Sequence, residues 1–452
     1  LKTAIVIGSG LAGLTAAYRL KQDGWQVSVL EKSDRICGRV ITFEKNGYII
    51  DGCATSISTA YIDYIELLKE VGLGDKLTHA SNVFGIVRDG KAYYVNGMTP
   101  VRSFIGTKFM SWPEKIQFLR GGLRLKKYSA DAVLADPGRS ARLDHLSIDQ
   151  LARTCFGDAL IDTLMDPIMR IVSFGDVKTT TAVELVTGTI SASGQYVNVI
   201  GGLETLPREL AKHVTVKKNS PARKVEKRQG KVEVTYEDAG DNGNSRTETV
   251  DACIIACTFP EAAAMCPQLA LEGPQLTQQT LFAPSVVVHL GYAAETKTNP
   301  AAVALPRAEF PNNPAFFLDH NKAPDRAPKG HSLFTLYYSP EAVAKVKAMP
   351  EEKILDDARG IIERYFPEVR GHLDMTNIKF APYGSHLAPP GYFKAVQEFF
   401  TNHSAADPIQ VAGDYFSLPS QETALSWGNR AARRIIENQR LNLTQEVALQ
   451  HS

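Results

Sequence analysis

The 452-residue sequence predicts an α/β chain whose two ends build one doubly wound domain, with an α+β domain of mixed sheet and helices inserted between them. Three observations carry this. Residues 3–7 form a short apolar run stopped by Gly8, the pattern of a parallel strand buried on both faces. A helix and a second strand follow within about 30 residues, which is an opening βαβ unit. The C-terminal region then returns to a short strand followed by a long helix. At about 150 residues per domain the length suits two to three domains.

The elements follow in order. Residues 11–22 read as a helix with Leu11, Leu14, Ala17, Tyr18 and Leu20 on its apolar face and Gly24 as its stop, and residues 25–30 alternate as a strand ending at Glu31. Residues 59–71 read as an amphipathic helix. Ser147 opens a Ser-x-x-Gln capping box before a helix over 148–172 that Gly157 and Pro167 break. Strands are expected at 214–218, 222–228 and 231–237, then a Gly/Asp/Asn turn at 238–244 and a buried strand at 252–257. Residues 285–292 and 332–338 read as strands of a second sheet. Residues 351–365 read as a helix closed by Pro367, 409–412 as a last strand, and 421–439 as a final helix capped by Ser420. This gives one doubly wound domain from 1–75, 206–270 and 406–452, and a second domain from 76–205 and 271–405.

Composition excludes several classes. Lys+Arg is 50 and Asp+Glu is 49, without the basic excess of a nucleic-acid binder. A charged fraction of 22% with 44% hydrophobic residues describes a folded globular chain. The six cysteines (37, 53, 155, 253, 257 and 266) contain no C-x-x-C pair, so neither a disulfide scaffold nor a structural zinc is expected, and no metal is assigned. No signal-peptide pattern and no run of about 20 apolar residues is seen, so the reducing cytoplasm is the expected compartment. The chain opens on Leu1 rather than Met, and a few residues are expected to precede it.

Gly8-Ser9-Gly10-Leu11-Ala12-Gly13 is G-x-G-x-x-G between a strand and a helix. The first glycine permits the tight turn, the second lets a pyrophosphate approach the backbone, and the third allows close helix–strand packing. The helix N-terminus adds unpaired N–H groups and partial positive charge. Glu31, at the end of the second strand, suits the hydroxyls of an adenosine ribose and disfavours a 2′-phosphate. The fingerprint alone leaves FAD and NAD open.

Two further segments narrow this. Glu31 is followed by Lys32-Ser33-Asp34-Arg35-Ile36-Cys37-Gly38-Arg39-Val40. Near the other end comes Gly413-Asp414-Tyr415-Phe416-Ser417-Leu418-Pro419-Ser420-Gln421-Glu422-Thr423-Ala424, running on to Gly428, Ala431 and Ala432. With the fingerprint these resemble the flavin amine oxidase and protoporphyrinogen oxidase superfamily. The resemblance implies a Rossmann-like FAD-binding domain built from discontinuous segments. It implies that Lys32 and Gly38 border the cofactor, that Arg39 pairs with the pyrophosphate, and that Asp414 holds the ribityl chain. It also implies that the strand at Val225 passes the adenine, and that the helix start at Thr423 and Ala424 faces the flavin N1–C2=O edge. Cys37 replaces the usual first Gly of G-G-R, and Cys53 lies near the Gly of the acid-x-Gly-Ala stretch. Both are expected to be buried structural thiols. No cysteine follows Cys266, so the cysteinyl–flavin link of many relatives is not available and FAD is expected to be non-covalent.

In the amine oxidases of this superfamily a strand lysine lies near flavin N5, and two aromatic rings flank the amine. Val288 aligns with the lysine and Ser420 with one aromatic. The other precedes the Pro389-Pro390-Gly391 turn, where Tyr383 and His386 are the candidates. The segments 201–207, 285–292 and 382–386 resemble the protoporphyrinogen oxidase and desaturase branch instead. The resemblance thus implies an FAD-dependent dehydrogenase or oxidase. It would move a hydride from a C–H of a cyclic, largely apolar substrate, such as a ring ketone or ring acid, to N5, with O2 or a quinone-like compound as electron acceptor. An amine or amino-acid oxidase and a redox-neutral flavin isomerase are the alternatives. Tyr196, His386, Tyr338 and Tyr383 are the candidate bases or orienting groups, each weighed against an ordinary core aromatic or histidine. Residues 102–128 hold seven basic residues and one acid among interleaved aromatics. An amphipathic cap over the substrate domain is the favoured reading, and a membrane-surface or substrate-entrance patch the lesser one.

Overall fold

The structure, a computed structural model, describes residues 1–52, 57–131, 140–173, 175–191 and 194–450. Cys53 therefore lies outside the described residues.

Five parallel strands form one sheet in the order Thr215–Lys217, Gln26–Leu30, Thr3–Ile7, Ala252–Ile255 and Ile409–Val411. Its strands come from the first, third and last of the five expected segments. The sheet is covered on both sides, which explains its unbroken apolar runs. Ala4, Val6, Val27, Val29 and Ile254 pack against Ala12, Ala16, Ala431 and Ile435 of helices Leu11–Gln22 and Gln421–Gln450. Ile5, Ile7, Leu30, Cys253 and Ile255 share a core with Val225, Val232, Val234 and Tyr236. The latter belong to a three-stranded antiparallel sheet, Ala222–Arg228, Lys231–Asp238 and Asn244–Val250.

A seven-stranded sheet forms the second layer, in the order Leu373–Leu387, Leu281–Tyr292, Ser332–Tyr338, Ala315–Leu318, Ala302–Ala304, Val83–Arg88 and Lys91–Asn96. Within Leu281–Tyr292, Val286, Val288, Leu290 and Tyr292 point to one face, where helix Glu351–Tyr365 supplies Ile354, Ala358 and Ile362. Val287 points to the other face with Ala302, Ala315 and Phe317.

Several expectations change in detail. The capping box at Ser147 and Gln150 is present, but its helix ends at Phe156, where Gly157 takes φ 71°. Pro167 does not break a helix; it lies in the first turn of a new one, Asp166–Val172, where its missing N–H costs nothing. The final helix extends to Gln450 rather than 439. Among the described residues no helix is long and apolar enough to cross a membrane.

Candidate active site

The C-terminal ends of the parallel strands converge on one edge, the place where such sheets bind ligands. Gly8 ends the first strand with φ 101°, and a Cβ there would come 2.9 Å from the Ala256 carbonyl oxygen. A Cβ on Gly13 would reach 2.0 Å from the Gly8 oxygen, so helix and strand meet with no room for a side chain. A Cβ on Gly10 would meet nothing within 4 Å. That open face beside the helix N-terminus fits a pyrophosphate. Leu11 and Ala12 are buried in the first turn of the helix, so only their amides are available to such a ligand.

Glu31 is buried at this edge. One carboxylate oxygen accepts from the Ser9 amide (3.0 Å) and hydroxyl (2.6 Å), the other from the Ser33 amide (2.9 Å) and hydroxyl (2.8 Å). Burial pushes its pKa up, but these four donors outweigh it and the net shift is downward. Glu31 is therefore an anion locked between Ser9 of the Gly8–Gly13 loop and Ser33. Lys32, largely exposed, pairs with Glu261 at 2.6 Å. Val225 turns its side chain into the core, so its contact with an adenine would be through the main chain.

The 37–39 segment packs directly on the loop. The Cys37 amide donates to the Ser9 carbonyl at 2.9 Å, and a Cβ on Gly38 (φ 59°) would lie 3.0 Å from the Gly10 Cα. Cys37 itself has φ 77°, a backbone that favours glycine, yet its side chain is fully buried. Burial, with the Glu204 charge, pushes its thiol up to about 12, so it is an inert packing group.

Arg39 pairs with Asp414, and its guanidinium lies 5.4 Å from the centre of the Phe282 ring. Phe282 stands edge-on to Tyr383 at 5.6 Å and pairs across strands with His386. His386 Nδ1 lies 4.0 Å from Asp414, while its Nε2 is 2.8 Å from the Ser417 carbonyl oxygen and donates to it. The structure thus gathers Arg39, Asp414, His386 and Tyr383 into one group. Burial lowers the His386 pKa to about 4, with Asp414 opposing and Arg39 assisting, so it is a neutral imidazole protonated on Nε2. Of the two roles expected of it, orienting group or base, this buried and bonded state suits the first. Burial acts against the Asp414 carboxylate too, but the Arg39 guanidinium, by its charge and its hydrogen bond, more than offsets it and the net pKa is lowered. Ser285 Oγ, His386 Nδ1, Ser417 Oγ and Gln421 Oε1 are buried without a hydrogen-bond partner among the described residues. Such orphaned atoms fit a polar ring system such as a flavin.

Gly413 starts the turn into this group, and a Cβ there would strike the Tyr415 ring at 2.1 Å. At the start of the final helix, the Thr423 amide is accepted by Ser420 Oγ (3.1 Å), its hydroxyl donates to the Leu418 carbonyl, and the Ala424 amide donates to the Ser420 carbonyl. The Thr423 and Ala424 amides are thus engaged within the helix start, which leaves the preceding amides of Gln421 and Glu422 as the candidates to meet a ligand. The sequence reading also missed that the Glu422 carboxylate caps helix Ile62–Glu70, accepting from the Asp63 (3.0 Å) and Tyr64 (2.9 Å) amides. Burial pushes its pKa up to about 7 despite those donors.

The other candidates lie elsewhere. Tyr338 is buried behind the second sheet, where its hydroxyl donates to Asp357 at 2.7 Å. It is a structural group and not part of the site. Tyr196 is on strand Tyr196–Val199 beside Ile57–Ser58, its ring 5.0 Å from that of Phe84. Burial raises its pKa above the usual tyrosine value, so its hydroxyl stays protonated. Val288 points into the core against helix Glu351–Tyr365, so it cannot stand in for the lysine. The side of that strand facing the nucleotide-binding layer carries Val287 and His289; the His289 ring is edge-on to Phe43 at 6.0 Å. A lysine does approach this region, from the neighbouring strand. Lys379 pairs in register with Val287, and its Nζ lies 3.2 Å from where a Gly52 Cβ would be. Behind Gly52, Asp51 is held by Arg326 (2.9 Å), the Thr42 hydroxyl (2.6 Å) and the Leu203 amide (3.0 Å).

A parallel sheet with a glycine turn at a helix N-terminus, a buried carboxylate locked beside it and a second polar group at the same edge fits a dinucleotide such as FAD. The chain belongs to the flavin containing amine oxidoreductase family, whose model matches residues 11–436. It is a flavin-dependent oxidoreductase by that membership, with FAD as its cofactor. Protoporphyrinogen oxidase 2 of Arabidopsis thaliana is 28% identical over 181 residues, covering 39% of this chain and 33% of that protein. Coproporphyrinogen III oxidase of Staphylococcus aureus is 28% identical over 177 residues, covering 37% and 35%. The aligned stretches thus span about a third of the length of these curated relatives. Among solved structures, cyclohexylamine oxidase from Brevibacterium oxydans superposes with a TM-score of 0.77 at 16% identity, over 97% of this chain and 99% of that one. At that identity the likeness establishes the fold.

Proposed function

We propose that this chain dehydrogenates a cyclic, largely apolar substrate, oxidising a ring C–H bond rather than an amine. FAD, when bound, supplies N5 as the hydride acceptor. The substrate loses one hydride and one proton, gains a double bond, and the two electrons pass on to O2 or a quinone-like acceptor. The Gly8–Gly13 loop and Glu31 hold the adenosine diphosphate half. Arg39 and Asp414 hold the linker, and the amides of Gln421 and Glu422 face the electron-rich edge of the ring. Tyr383, half-exposed beside Phe282 and Arg39, is placed to donate a hydrogen bond to a carbonyl or carboxylate on the substrate. Tyr196 is a second donor. His386 is a positioning residue, since it is buried behind Asp414 and bonded to Ser417.

The observation that carries this reading is Ser420. In an amine oxidase this position supplies one wall of an aromatic cage, whereas here its hydroxyl caps the final helix. The cage for an amine lacks that wall. The two porphyrinogen-oxidising relatives support a ring substrate. Lys379 beside Gly52 favours a second reading, an amine or amino-acid oxidase. The test is anaerobic flavin bleaching by a panel of ring ketones, ring acids and porphyrinogens against primary and secondary amines. Faster reduction by a ring compound is expected, and reduction by simple amines at an equal or higher rate overturns the proposal.

A further inference from the structure

We propose that the helical hairpin at 100–125 docks this protein onto an anionic lipid surface. Helices Pro100–Gly106 and Trp112–Leu125 are locked together. The Phe104 and Phe118 rings lie 4.9 Å apart, and Lys115 Nζ donates to the carbonyls of Ile105 (2.7 Å) and Thr107 (2.8 Å) at the end of the first helix. The inner face of the second helix is tightly seated: Phe118 stacks on Phe156 at 5.7 Å, and a Cβ on Gly121 would strike the Phe156 ring at 2.1 Å. That is the cap the sequence suggests, and it needs only one apolar face.

The opposite face is apolar as well. Trp112, Ile116, Leu119 and Leu123 are 64%, 48%, 58% and 71% exposed. At 100° per residue these four fall within an arc of about 60° on the helix, directly away from Gly121. Val101 and Ile105 on the first helix are 71% and 52% exposed. An outward stripe of large side chains on a helix already packed on its inner side is not explained by packing among the described residues.

The charge around the stripe indicates its occupant. Arg102, Lys108, Arg120, Arg124, Lys126 and Lys127 are all exposed. The one acid of the segment, Glu114, is engaged by Arg88 at 3.1 Å and by the Ser111 amide at 2.7 Å. The whole chain carries a net charge of only +1, so this basic excess is local. A symmetric second copy would set this cationic face against itself, whereas an anionic bilayer answers both halves of the pattern: lipid tails accept the stripe and headgroups meet the cations.

The test uses the FAD-loaded protein with vesicles of phosphatidylcholine alone or mixed with phosphatidylglycerol. The protein should sediment with the anionic vesicles, at least tenfold less with the neutral ones, and release as salt is raised. Trp112 reports the contact, because Trp25 and Trp427 are buried, and its emission should shift to the blue on docking. Leu119→Ser with Leu123→Ser, and separately Lys108→Glu with Arg120→Glu, should each weaken docking at least tenfold with flavin spectrum and thermal midpoint unchanged. A protein that stays in the supernatant with both vesicles overturns the proposal, as does equal binding to both. A concentration-dependent dimer that the leucine variant dissolves would assign the stripe to self-association instead.

Discussion

Gly10 and Gly13 stand in the same loop and predict opposite outcomes for one added methyl group. Gly10 has φ −69° and ψ 173°, which any residue adopts, and its Cβ would point into open space. Gly10→Ala should therefore leave the FAD-free fold intact or stabilise it by about 0.4–1 kcal/mol, through the reduced entropy of the unfolded chain. The same methyl fills the space assigned to the pyrophosphate. Losing one charge-assisted hydrogen bond there costs about 1.5–3 kcal/mol, or about 10- to 150-fold in FAD affinity. Gly13→Ala places its methyl 2.0 Å from the Gly8 oxygen and 3.2 Å from the Ala256 Cβ, so strand and helix must separate, at the upper end of the about 1–3 kcal/mol typical of overpacking. FAD titration by fluorescence quenching and thermal midpoints with and without saturating FAD distinguish them. The Gly10 deficit should vanish at saturating FAD by mass action, and the Gly13 deficit should persist. A Gly10→Ala protein that binds FAD like the parent would refute the placement of the pyrophosphate.

Glu422 titrates near 7 in the folded chain and at a lower pH when unfolded, so the stability tied to its protonated form is complete in acid and lost as pH rises through 7. Thermal midpoints from pH 5 to 8.5 should fall in the parent and flatten in Glu422→Gln. His386 has the opposite sign: its pKa of about 4 lies below the usual 6.5, so its contribution is present above pH 6.5 and lost on acidification toward 4. His386→Gln should remove that acid-side loss, and flavin reduction in the parent should show no histidine step between pH 6 and 8. Tyr338→Phe should cost about 1–2 kcal/mol in urea unfolding, from the lost bond to Asp357, with the flavin reduction rate unchanged.

The nucleotide-binding layer was legible because each of its parts is local. A strand, three glycines, a helix and an acid lie within the first 31 residues, and a second block ends the chain. The second sheet was read in part. Strand Val83–Arg88 joins Lys91–Asn96 through Asp89-Gly90, with φ of 53° and 72°, a hairpin signal that could have revealed both strands. Asn46-Gly47, with φ 52° and 78°, likewise marks the hairpin of Thr42–Lys45 and Tyr48–Asp51. Strand Leu373–Leu387 was hidden for a different reason. It is an edge strand with a register shift, so it tolerates Pro382 and lacks a clean alternation. His386 and Tyr383 could be tied to the cofactor by their place in the chain, but the neutral, buried state of His386 depends on Arg39 and Ser417, hundreds and tens of residues away.

The strand 281–292 shows how a period of two governs a functional inference. Moving the assignment by one residue exchanges the core face for the site face. Val288 faces the core helix, so its lack of an amine says nothing about the reaction, and the lysine question passes to Lys379. Lys379 is half-buried, and its charge is felt by His289, whose pKa burial lowers to about 4. Lys379→Met keeps most of the stem and removes the charge, so the fold and the retained FAD should be close to the parent's. If the site oxidises ring C–H bonds, reduction by the best ring substrate should change by less than about tenfold, because no proton transfer is assigned to the ammonium. If the lysine orders a proton-transfer step for an amine, amine-driven reduction should fall by about 100-fold or more, the scale of a positioned acid or base. Stopped-flow reduction with one substrate of each class gives both numbers from one variant. A large loss with the ring substrate, at full FAD occupancy, would refute the assignment of substrate orientation to Tyr383 and transfer it to Lys379.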